Sequence, residues 1–381
     1  MSLSLSVAES VLNAGRALQE KGLVVRTWGN VSARSDADYF WITPTGARYE
    51  ELDACDIVQV CLHSLESKGR RKPSSELSVH AKIYQHFPNI SFILHTHQKW
   101  ASLLGLLCYG KMGSVPVRED FRQVFGKVLP SAAYAQAGSE ELAQSLIDAI
   151  DACGSDWGGR EEETEYGKSG IALMAYHGVV FFARNAEIAF TLAQRLEEYA
   201  MSCFLQSLAN IVPISSNLLP PPEPYLAYPL RPFSSKYTLD LELFFIGTED
   251  SASLSHLFAC LAGSDMVKLV DMQPEADAMV TKGMGAYFDD VAQIAGSFFE
   301  VCTLEMLECR KICKQSIFII EGKGVLIASS SQEEAHYMMR LFEKNVYAFL
   351  LSLVDERIKP LNCDVANNLH NGYLEGYSKL K

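Results

Sequence analysis

The chain has 381 residues, of which 48% are hydrophobic and 21% charged, and this length favours two domains over a single core. Its formal net charge of −13 argues against a nucleic-acid partner, because neutralising phosphates requires a basic surface. The apolar runs at 317–320 and 347–354 are far shorter than the roughly 20 residues that span a bilayer, so no membrane partner is expected.

The first half of the chain predicts alternating helices and strands. Residues 5–20 favour an amphipathic helix, ended by Gly22, rather than a signal peptide, because no basic segment precedes the apolar residues. Strands are predicted at 39–43 and 57–62, and a helix at 77–85 with Ser74 or Ser75 as its N-cap. An apolar strand at 90–97 then leads into another helix. This alternation indicates an α/β class.

Two irregular stretches suggest how the chain is divided. Residues 154–170 combine glycines with an acidic run and predict a surface insertion. Residues 217–232 read NLLPPPEPYLAYPLRP, and such a density of proline predicts an extended linker. We therefore predict a first domain at 1–216, a linker at 217–232 and a second, smaller α/β domain at 233–381.

The second domain is predicted to be a degenerate copy of the first. Residues 170–200 align without gaps on 316–346, with Gly178 on Gly324 (324 − 178 = 146). Both segments predict a strand, a tight turn, a second strand and a helix. Lys323 replaces His177, so the copy is expected to lack a metal site. The alternative is a regulatory domain with only superficial similarity.

The ten cysteines lie in apolar contexts and form no CxxC pair. We interpret them as buried thiols in a reducing compartment, which predicts a cytoplasmic protein.

A candidate metal site begins at the sequence Ile-Leu-His95-Thr-His97. Residues two apart on a strand project from the same face, so a strand through Thr96 presents both imidazoles to one point. His177 stands where a second apolar strand meets a glycine turn. Glu76 follows Pro73 at a predicted helix N-terminus, where its carboxylate can complete the metal shell or act as a base. Hydrogen-bonded core histidines are the simpler alternative for each histidine alone.

Six ordered blocks resemble the class II aldolase and adducin family over residues 5–212. They are Gly29-Asn30-Val31-Ser32, Ile42-Thr43-Pro44-Thr45-Gly46, Asp56-Ile57-Val58, Pro73-Ser74-Ser75-Glu76 with His80, His95-Thr96-His97 and His177-Gly178. The resemblance implies a three-layer α/β/α fold with a mixed, mostly antiparallel central sheet.

The resemblance also implies roles for these residues. His95, His97 and His177 match the metal ligands of the family. Glu76 matches the acidic fourth ligand that becomes the acid/base when substrate binds. The positions that hold the substrate phosphate match Asn30, Thr45, Gly46, Ser74 and Ser75. The implied cofactor is Zn²⁺, or another divalent metal such as Mn²⁺ or Co²⁺.

The activity that we favour is retro-aldol cleavage of a ketose 1-phosphate. It yields dihydroxyacetone phosphate and an aldehyde through an enediolate that a divalent ion stabilises. An epimerase acting on a sugar phosphate, or a dehydratase of the methylthioribulose-phosphate type, remains an alternative within the family. A non-catalytic, adducin-like scaffold is a further alternative.

The sequence departs from the family around residues 117–121. The phosphate aldolases carry a catalytic tyrosine near the position of Glu119, whereas epimerases place an aspartate in this region. Glu119 and Asp120 are therefore candidate catalytic residues, the alternative being a solvated loop. The expected partner is a phosphorylated sugar. The expected assembly is a homo-oligomer, either a dimer that forms a pseudo-tetrameric ring or a tetramer.

Overall fold

The computed structural model describes residues 2–108, 113–157, 169–209, 228–229, 242–246, 283–302, 306, 316–320, 324–329 and 332–375. The chain divides into two compact units, Met1–Phe204 and Leu205–Lys379. Of the predicted linker, only Tyr228–Pro229 is described, and Lys323 also lies outside the described residues. Among the helices within these ranges, none has both the length and the apolar character needed to cross a membrane.

The first unit has six α-helices and nine β-strands in its described part. The helices are α1 (Ser2–Glu20), α2 (Leu77–His86), α3 (Lys99–Cys108), α4 (Arg122–Phe125), α5 (Glu140–Ala152) and α6 (Ala186–Ala209). The strands are β1 (Gly29–Arg34), β2 (Tyr39–Ile42), β3 (Val58–Cys61), β4 (Ser67–Lys68), β5 (Phe92–Thr96), β6 (Ser114–Pro116), β7 (Val128–Ala132), β8 (Gly170–Met174) and β9 (Gly178–Ala183). The predicted helices and strands are present, with ends shifted by a few residues.

The nine strands form one sheet in the order β4-β3-β2-β1-β5-β9-β8-β7-β6. Its pairs are antiparallel except β7 with β8. Helices α2 and α5 pack on one face, over residues such as Ile93 and Val180. The alternate positions, such as Leu94 and Phe181, are also fully buried and face α1 and α3 on the other side. This three-layer α/β/α arrangement is the one that the resemblance implies.

Two local predictions in this unit are wrong. Helix α2 has Glu76 as its N-cap residue instead of Ser74 or Ser75. The Glu76 carboxylate makes no capping hydrogen bond, because it contacts His177, His95 and Asn30 instead. The surface insertion predicted at 154–170 is wrong at Trp157, which is buried against Phe182, and at Ser169 and Gly170, which are buried where β8 begins; residues 158–168 lie outside the described part of the chain. A large ring that fills the α2/α5 layer stabilises the core by its apolar area, whatever charges follow it along the chain.

The cysteine prediction is also partly wrong. All three of Cys55, Cys302 and Cys363 are free thiols, but only Cys302 is buried, whereas Cys55 and Cys363 are exposed. Local apolar neighbours in sequence do not decide burial, because a turn or a helix surface can expose one side chain among them.

The second unit contains a smaller sheet. Its described elements are β10 (Tyr228–Pro229), β11 (Glu242–Ile246), β12 (Met284–Gly285), α7 (Asp289–Ala295), β13 (Phe298–Phe299), β14 (Val301–Cys302), β15 (Ser316–Ile320), β16 (Gly324–Ser329), α8 (Gln332–Val354) and α9 (Cys363–Glu375). Five strands form a sheet in the order β10-β11-β16-β15-β14, and β12 pairs with β13.

The strand order of this smaller sheet corresponds to that of β1-β5-β9-β8-β7 in the first unit. In each run, the first three neighbouring pairs are antiparallel and the last pair is parallel. The registers of the central hairpins also agree. Gly170 pairs with Phe182 in the first unit, and Ser316 pairs with Ala328 in the second, each 146 positions later (316 − 170 = 146; 328 − 182 = 146).

Candidate metal centre

Two of the predicted ligands come from the central strand of the first unit. Strand β5 lies between β1 and β9, and it continues through Thr96 as the prediction requires. His95 and His97 therefore project from the same face of the sheet as Ile93, which is the face that helix α2 covers. Both histidines are almost completely buried, so their ring nitrogens are shielded from bulk water.

The third predicted ligand, His177, lies in the turn that joins β8 to β9. Gly178 follows it, and a Cβ atom there would lie only 2.4 Å from the Thr96 carbonyl oxygen. A side chain at Gly29 would likewise approach the His95 carbonyl oxygen to 2.7 Å. Glycine at both positions allows the neighbouring strands to come close to β5. The close approach of the β9 start brings His177 to the end of β5.

The three imidazoles converge. Their ligand atoms all lie within 4.8 Å of one another, and His95 Nε2 is 2.9 Å from His97 Nε2. The rings of His95 and His177 are stacked, with their centroids 4.9 Å apart. Sequence alone predicted this grouping, and the structure brings the three residues together.

Glu76 completes the cluster from the start of α2. Its Oε1 lies 2.6 Å from His177 Nε2, and its Oε2 lies 3.1 Å from His95 Nε2 and 2.7 Å from the amide nitrogen of Asn30. Burial by itself would raise the pKa of Glu76, but its electrostatic interactions with the facing His95 and His177 rings and the His177 hydrogen bond outweigh that effect. They hold the pKa well below its usual range. Glu76 is therefore a buried carboxylate.

The donor set fits a divalent metal ion such as zinc. The Nδ1–H group of His95 donates to the Val179 carbonyl oxygen at 3.0 Å, which leaves the lone pair of Nε2 directed at the cluster. Burial lowers the pKa of His95 well below its usual value, so the ring is neutral, as a ligand must be. Three imidazole nitrogens and one carboxylate are ligands that Zn²⁺ and similar ions prefer.

Four of the five residues predicted to hold a phosphate, all except Asn30 on β1, lie on two paired segments. The Ser74 N–H donates to the Thr43 carbonyl and the Thr45 N–H to the Lys72 carbonyl, at 3.0 and 3.1 Å. This pairing places the turn at Thr45 and Gly46 beside Ser74 and Ser75. Ser75 is exposed, whereas Ser74 is buried and accepts the Glu76 N–H through its hydroxyl at 3.3 Å. The predicted phosphate positions thus lie next to the start of α2 and to Glu76.

Glu119 and Asp120 lie apart from this cluster. Both are exposed and belong to a short 3-10 turn, Glu119–Phe121. The Asp120 carboxylate accepts hydrogen bonds from the Arg118 guanidinium, at 3.0 and 3.3 Å. Among the described residues, neither carboxylate belongs to the group of ligand atoms around the three histidines. A catalytic role for either residue stays a prediction.

One part of the site was not assigned from the sequence. His80, which the family blocks include without a role, lies fully buried between Asn30 and Ser32. The signal was present in the spacing. Glu76, His80 and Tyr84 follow one another at intervals of four along α2 and so share one helix face.

Comparisons with known proteins identify the family of the chain. The sequence model of the family described as "Class II Aldolase and Adducin N-terminal domain" matches residues 9–203, just over half of the chain. The chain therefore belongs to the class II aldolase and adducin family.

The chain is similar to two relatives and to one solved structure in particular. The chain is 37% identical over 102 residues to a methylthioribulose-1-phosphate dehydratase of Marinobacter nauticus, covering 27% of this chain and 49% of the relative. It is 29% identical over 199 residues to a 5-methylthioribulose-1-phosphate/5-deoxyribulose-1-phosphate aldolase of Rhodospirillum rubrum, covering 51% of this chain and 79% of the relative. A solved L-fuculose 1-phosphate aldolase is 27% identical with a TM-score of 0.45, covering 55% of this chain and 89% of that one. The chain thus spans only about half the length of the dehydratase.

Proposed function

We propose that the protein is a divalent-metal-dependent aldolase that cleaves a ketose 1-phosphate to dihydroxyacetone phosphate and an aldehyde. The observation that carries this proposal is the contact of one buried carboxylate, Glu76, with two of three converging histidines. Packing does not require such a group, since burying a carboxylate costs free energy unless it is paired.

His95, His97, His177 and Glu76 are the residues that would hold the metal. When bound there, a divalent ion supplies Lewis-acid stabilisation of the negative charge that develops on the substrate oxygens. We propose zinc as this ion, with Mn²⁺ and Co²⁺ as alternatives. The neutral His95 ring and the ionised Glu76 are already in the protonation states that ligands need.

The residues of the chain move the protons. In the cleavage, the C4 hydroxyl loses its proton, the C3–C4 bond breaks, and its electron pair moves towards the C2 carbonyl oxygen. C3 then receives a proton. We assign the proton at C3 to Glu76, because a carboxylate beside the metal ligands is placed to act on the carbon next to the carbonyl. We assign the proton of the C4 hydroxyl to Glu119 or Asp120.

The substrate phosphate is proposed to bind at Asn30, Thr45, Gly46, Ser74 and Ser75. Hydroxyl groups and backbone N–H groups next to the N-terminus of a ten-residue helix can bind a dianion without a lysine. This mode of binding suits a protein whose net charge is −13.

Dehydration of a methylthioribulose-phosphate-type substrate is the second candidate, favoured by the 37% identity to the dehydratase. In that reaction Glu76 would remove the C3 proton, and the C4–O bond would break with loss of water. The same carboxylate thus serves both reactions, which differ in the bond broken at C4. Epimerisation of a sugar phosphate at C4 breaks the C3–C4 bond and re-forms it. An adducin-like scaffold would do none of these.

One experiment separates these candidates. The full chain, loaded in turn with Zn²⁺, Mn²⁺ and Co²⁺, is incubated with 5-deoxyribulose 1-phosphate, 5-methylthioribulose 1-phosphate and ribulose 5-phosphate. Dihydroxyacetone phosphate is followed with a coupled dehydrogenase, and loss of water or a change at C4 is followed by mass spectrometry and NMR. Release of dihydroxyacetone phosphate supports the aldolase. Water loss alone supports the dehydratase, and inversion at C4 alone supports the epimerase. A chain that binds metal and turns over none of these substrates leaves the aldolase proposal without support.

The assembly and location remain part of the proposal. We propose a cytoplasmic homo-oligomer, either a dimer that forms a pseudo-tetrameric ring or a tetramer. Sedimentation equilibrium of the full chain tests the oligomeric state, since a monomer at micromolar concentration would contradict both forms.

A further inference from the structure

A chain of hydrogen bonds connects the interior of the first unit to Glu76. The Tyr84 hydroxyl lies 2.8 Å from Ser32 Oγ, which lies 2.6 Å from His80 Nδ1. His80 Nε2 lies 2.5 Å from Asn30 Oδ1, and Asn30 Nδ2 donates to Glu76 Oε2 at 2.7 Å. These side chains are buried, so bulk water does not reach them to replace a lost partner.

This arrangement follows from two matching periods. On α2, Glu76, His80 and Tyr84 lie four residues apart on one helix face. On β1, Asn30 and Ser32 lie two residues apart and face that helix. The two rows interlock, so each strand side chain contacts two helix side chains. Polar residues occupy this part of the core in place of the apolar ones that pack elsewhere between the sheet and α2.

The donor and the acceptor of each of these four hydrogen bonds, from Tyr84 to Glu76, follow from the chemistry of the groups. An ionised carboxylate only accepts, so the NH₂ group of Asn30 must face Glu76 and its Oδ1 must face His80. The Oδ1 atom only accepts as well, so His80 must carry its proton on Nε2. Burial lowers the pKa of His80 to about 4, so the ring is neutral near pH 7 and its Nδ1 accepts from the Ser32 hydroxyl. Ser32 in turn accepts from the Tyr84 hydroxyl.

We infer that His80 is a positioning residue, which fixes the orientation of the Asn30 amide and through it holds the Glu76 carboxylate towards the metal ligands. With an apolar side chain at position 80, Asn30 Oδ1 loses its donor, and only the bond to Glu76 still holds the amide. The amide and the carboxylate that it contacts are then less firmly oriented towards the metal ligands. This inference rests on the proposed function only in one respect, the expected effect on kcat.

The kinetic test compares three variants of the metal-loaded full chain. His80→Leu removes both hydrogen bonds, whereas His80→Gln keeps an NH₂ donor close to the position of Nε2. Val79→Ala is the matched control, because Val79 is buried on the same helix but belongs to the apolar core. We expect His80→Leu to lower kcat roughly 10–100-fold with little change in KM, the effect typical of residues that orient metal ligands. His80→Gln should recover most of kcat, and Val79→Ala should lower the melting temperature but not kcat.

A second measurement does not need turnover. Long-range ¹⁵N–¹H spectra of the histidine rings, with His80 assigned by its loss in His80→Gln, report the tautomer at pH 7. We expect a neutral ring with its proton on Nε2. A proton on Nδ1, or a protonated ring, overturns the inference even when the enzyme is active. If the wild-type chain turns over no substrate but shows the Nε2–H tautomer, the proposed function fails and the inference about His80 stands. Equal kcat values for His80→Leu and an active wild type would overturn the positioning role of His80.

A second inference rests on the strand registers. In the second unit, Tyr228 pairs with Phe245 on neighbouring strands, as Asn30 pairs with His95 in the first. Phe245 also pairs with Leu326, as His95 pairs with Val180 (326 − 180 = 146), so Phe245 stands at the register position of His95. The parallel pairing of Val301 with Ile319 likewise matches that of Ser131 with Leu173. We propose that the second unit is a copy of the class II aldolase fold that has lost its metal site, and that each chain holds one metal ion.

Metal counting tests this proposal directly. Metal is removed from the full chain with a chelator, and the chain is reloaded with Zn²⁺ and desalted. Its zinc content is then measured by inductively coupled plasma mass spectrometry. We expect about one zinc ion per chain in the wild type and close to none in His95→Ala. Two ions per wild-type chain, or one ion retained in His95→Ala, would show a second site and overturn the proposal. Circular dichroism confirms that the variant is folded.

Discussion

Replacing Glu76 by glutamine separates its role as a proton carrier from its role in the structure. Both carboxylate oxygens have partners, His177 at 2.6 Å on one side and Asn30 at 2.7 Å on the other. A glutamine can accept from Asn30 with its oxygen and point its NH₂ group at His177, so the cluster keeps its shape. An amide has no basic lone pair for a proton at C3. General-base contributions of roughly 10²–10⁴-fold then predict a loss of about 3–5 kcal/mol of transition-state stabilisation.

Two assays measure this loss in Glu76→Gln. The first follows dihydroxyacetone phosphate from 5-deoxyribulose 1-phosphate. The second follows exchange of the C3 hydrogen of dihydroxyacetone phosphate with D₂O by NMR, which reports the proposed Glu76 step alone. The control is Asp56→Asn, the same carboxylate-to-amide change at a residue that pairs with Arg71 in a surface turn. Zinc content should remain near that of the wild type in both variants. Turnover and exchange within a few-fold of the wild type, with metal retained, would refute the role assigned to Glu76.

Three further predictions concern residues around this site. Ser75→Ala should raise KM for a ketose 1-phosphate and barely change the kinetics with the unphosphorylated sugar, whereas equal effects on both would mean that Ser75 only shapes the turn. Glu119→Gln or Asp120→Asn should lower kcat at least about 10-fold if that carboxylate takes the C4 hydroxyl proton, and unchanged kcat in both variants would leave this step to another group. The buried neutral His80 has a pKa of about 4, below the roughly 6.5 of an unfolded chain, and its titratable neighbours are Glu76 and Tyr84. The contribution of His80 to the free energy of unfolding is therefore fully present above pH 6.5. It decreases by about 3 kcal/mol as the pH falls towards 4. Urea unfolding from pH 7 to pH 4 should show this loss in the wild type and not in His80→Gln, and parallel curves for the two proteins would contradict it.

The sequence alone determined the family and the three candidate histidine ligands. An apolar strand with histidines two residues apart places both rings on one face, because the strand period is two. The glycine after His177 marked a turn beside another strand. These features are local, so they can be predicted without knowing which strands are neighbours.

Local patterns failed where tertiary contacts compete with them. Ser74 and Ser75 have the side chains that usually cap helices, but α2 is preceded directly by Glu76, whose carboxylate is held by the histidines and Asn30. The acidic, glycine-rich context of Trp157 suggested a surface loop. The ring is nonetheless buried against Phe182, because apolar area of that size is stabilised in the core.

Only the tertiary structure decided which polar groups contact one another. Strand β5 pairs with β1 on one side and with β9 on the other, although some 60 and 80 residues separate these strands along the chain. This order places His95 beside Asn30 and brings α2 over β1, so that His80 lies between Asn30 and Ser32. The sequence supplied the two periods, of four on the helix and two on the strand. Which face of the helix packs on which face of the strand depends on packing across the whole sheet. The position of His80 next to Asn30, and so its role in orienting Glu76, could therefore be recognised only from the tertiary structure.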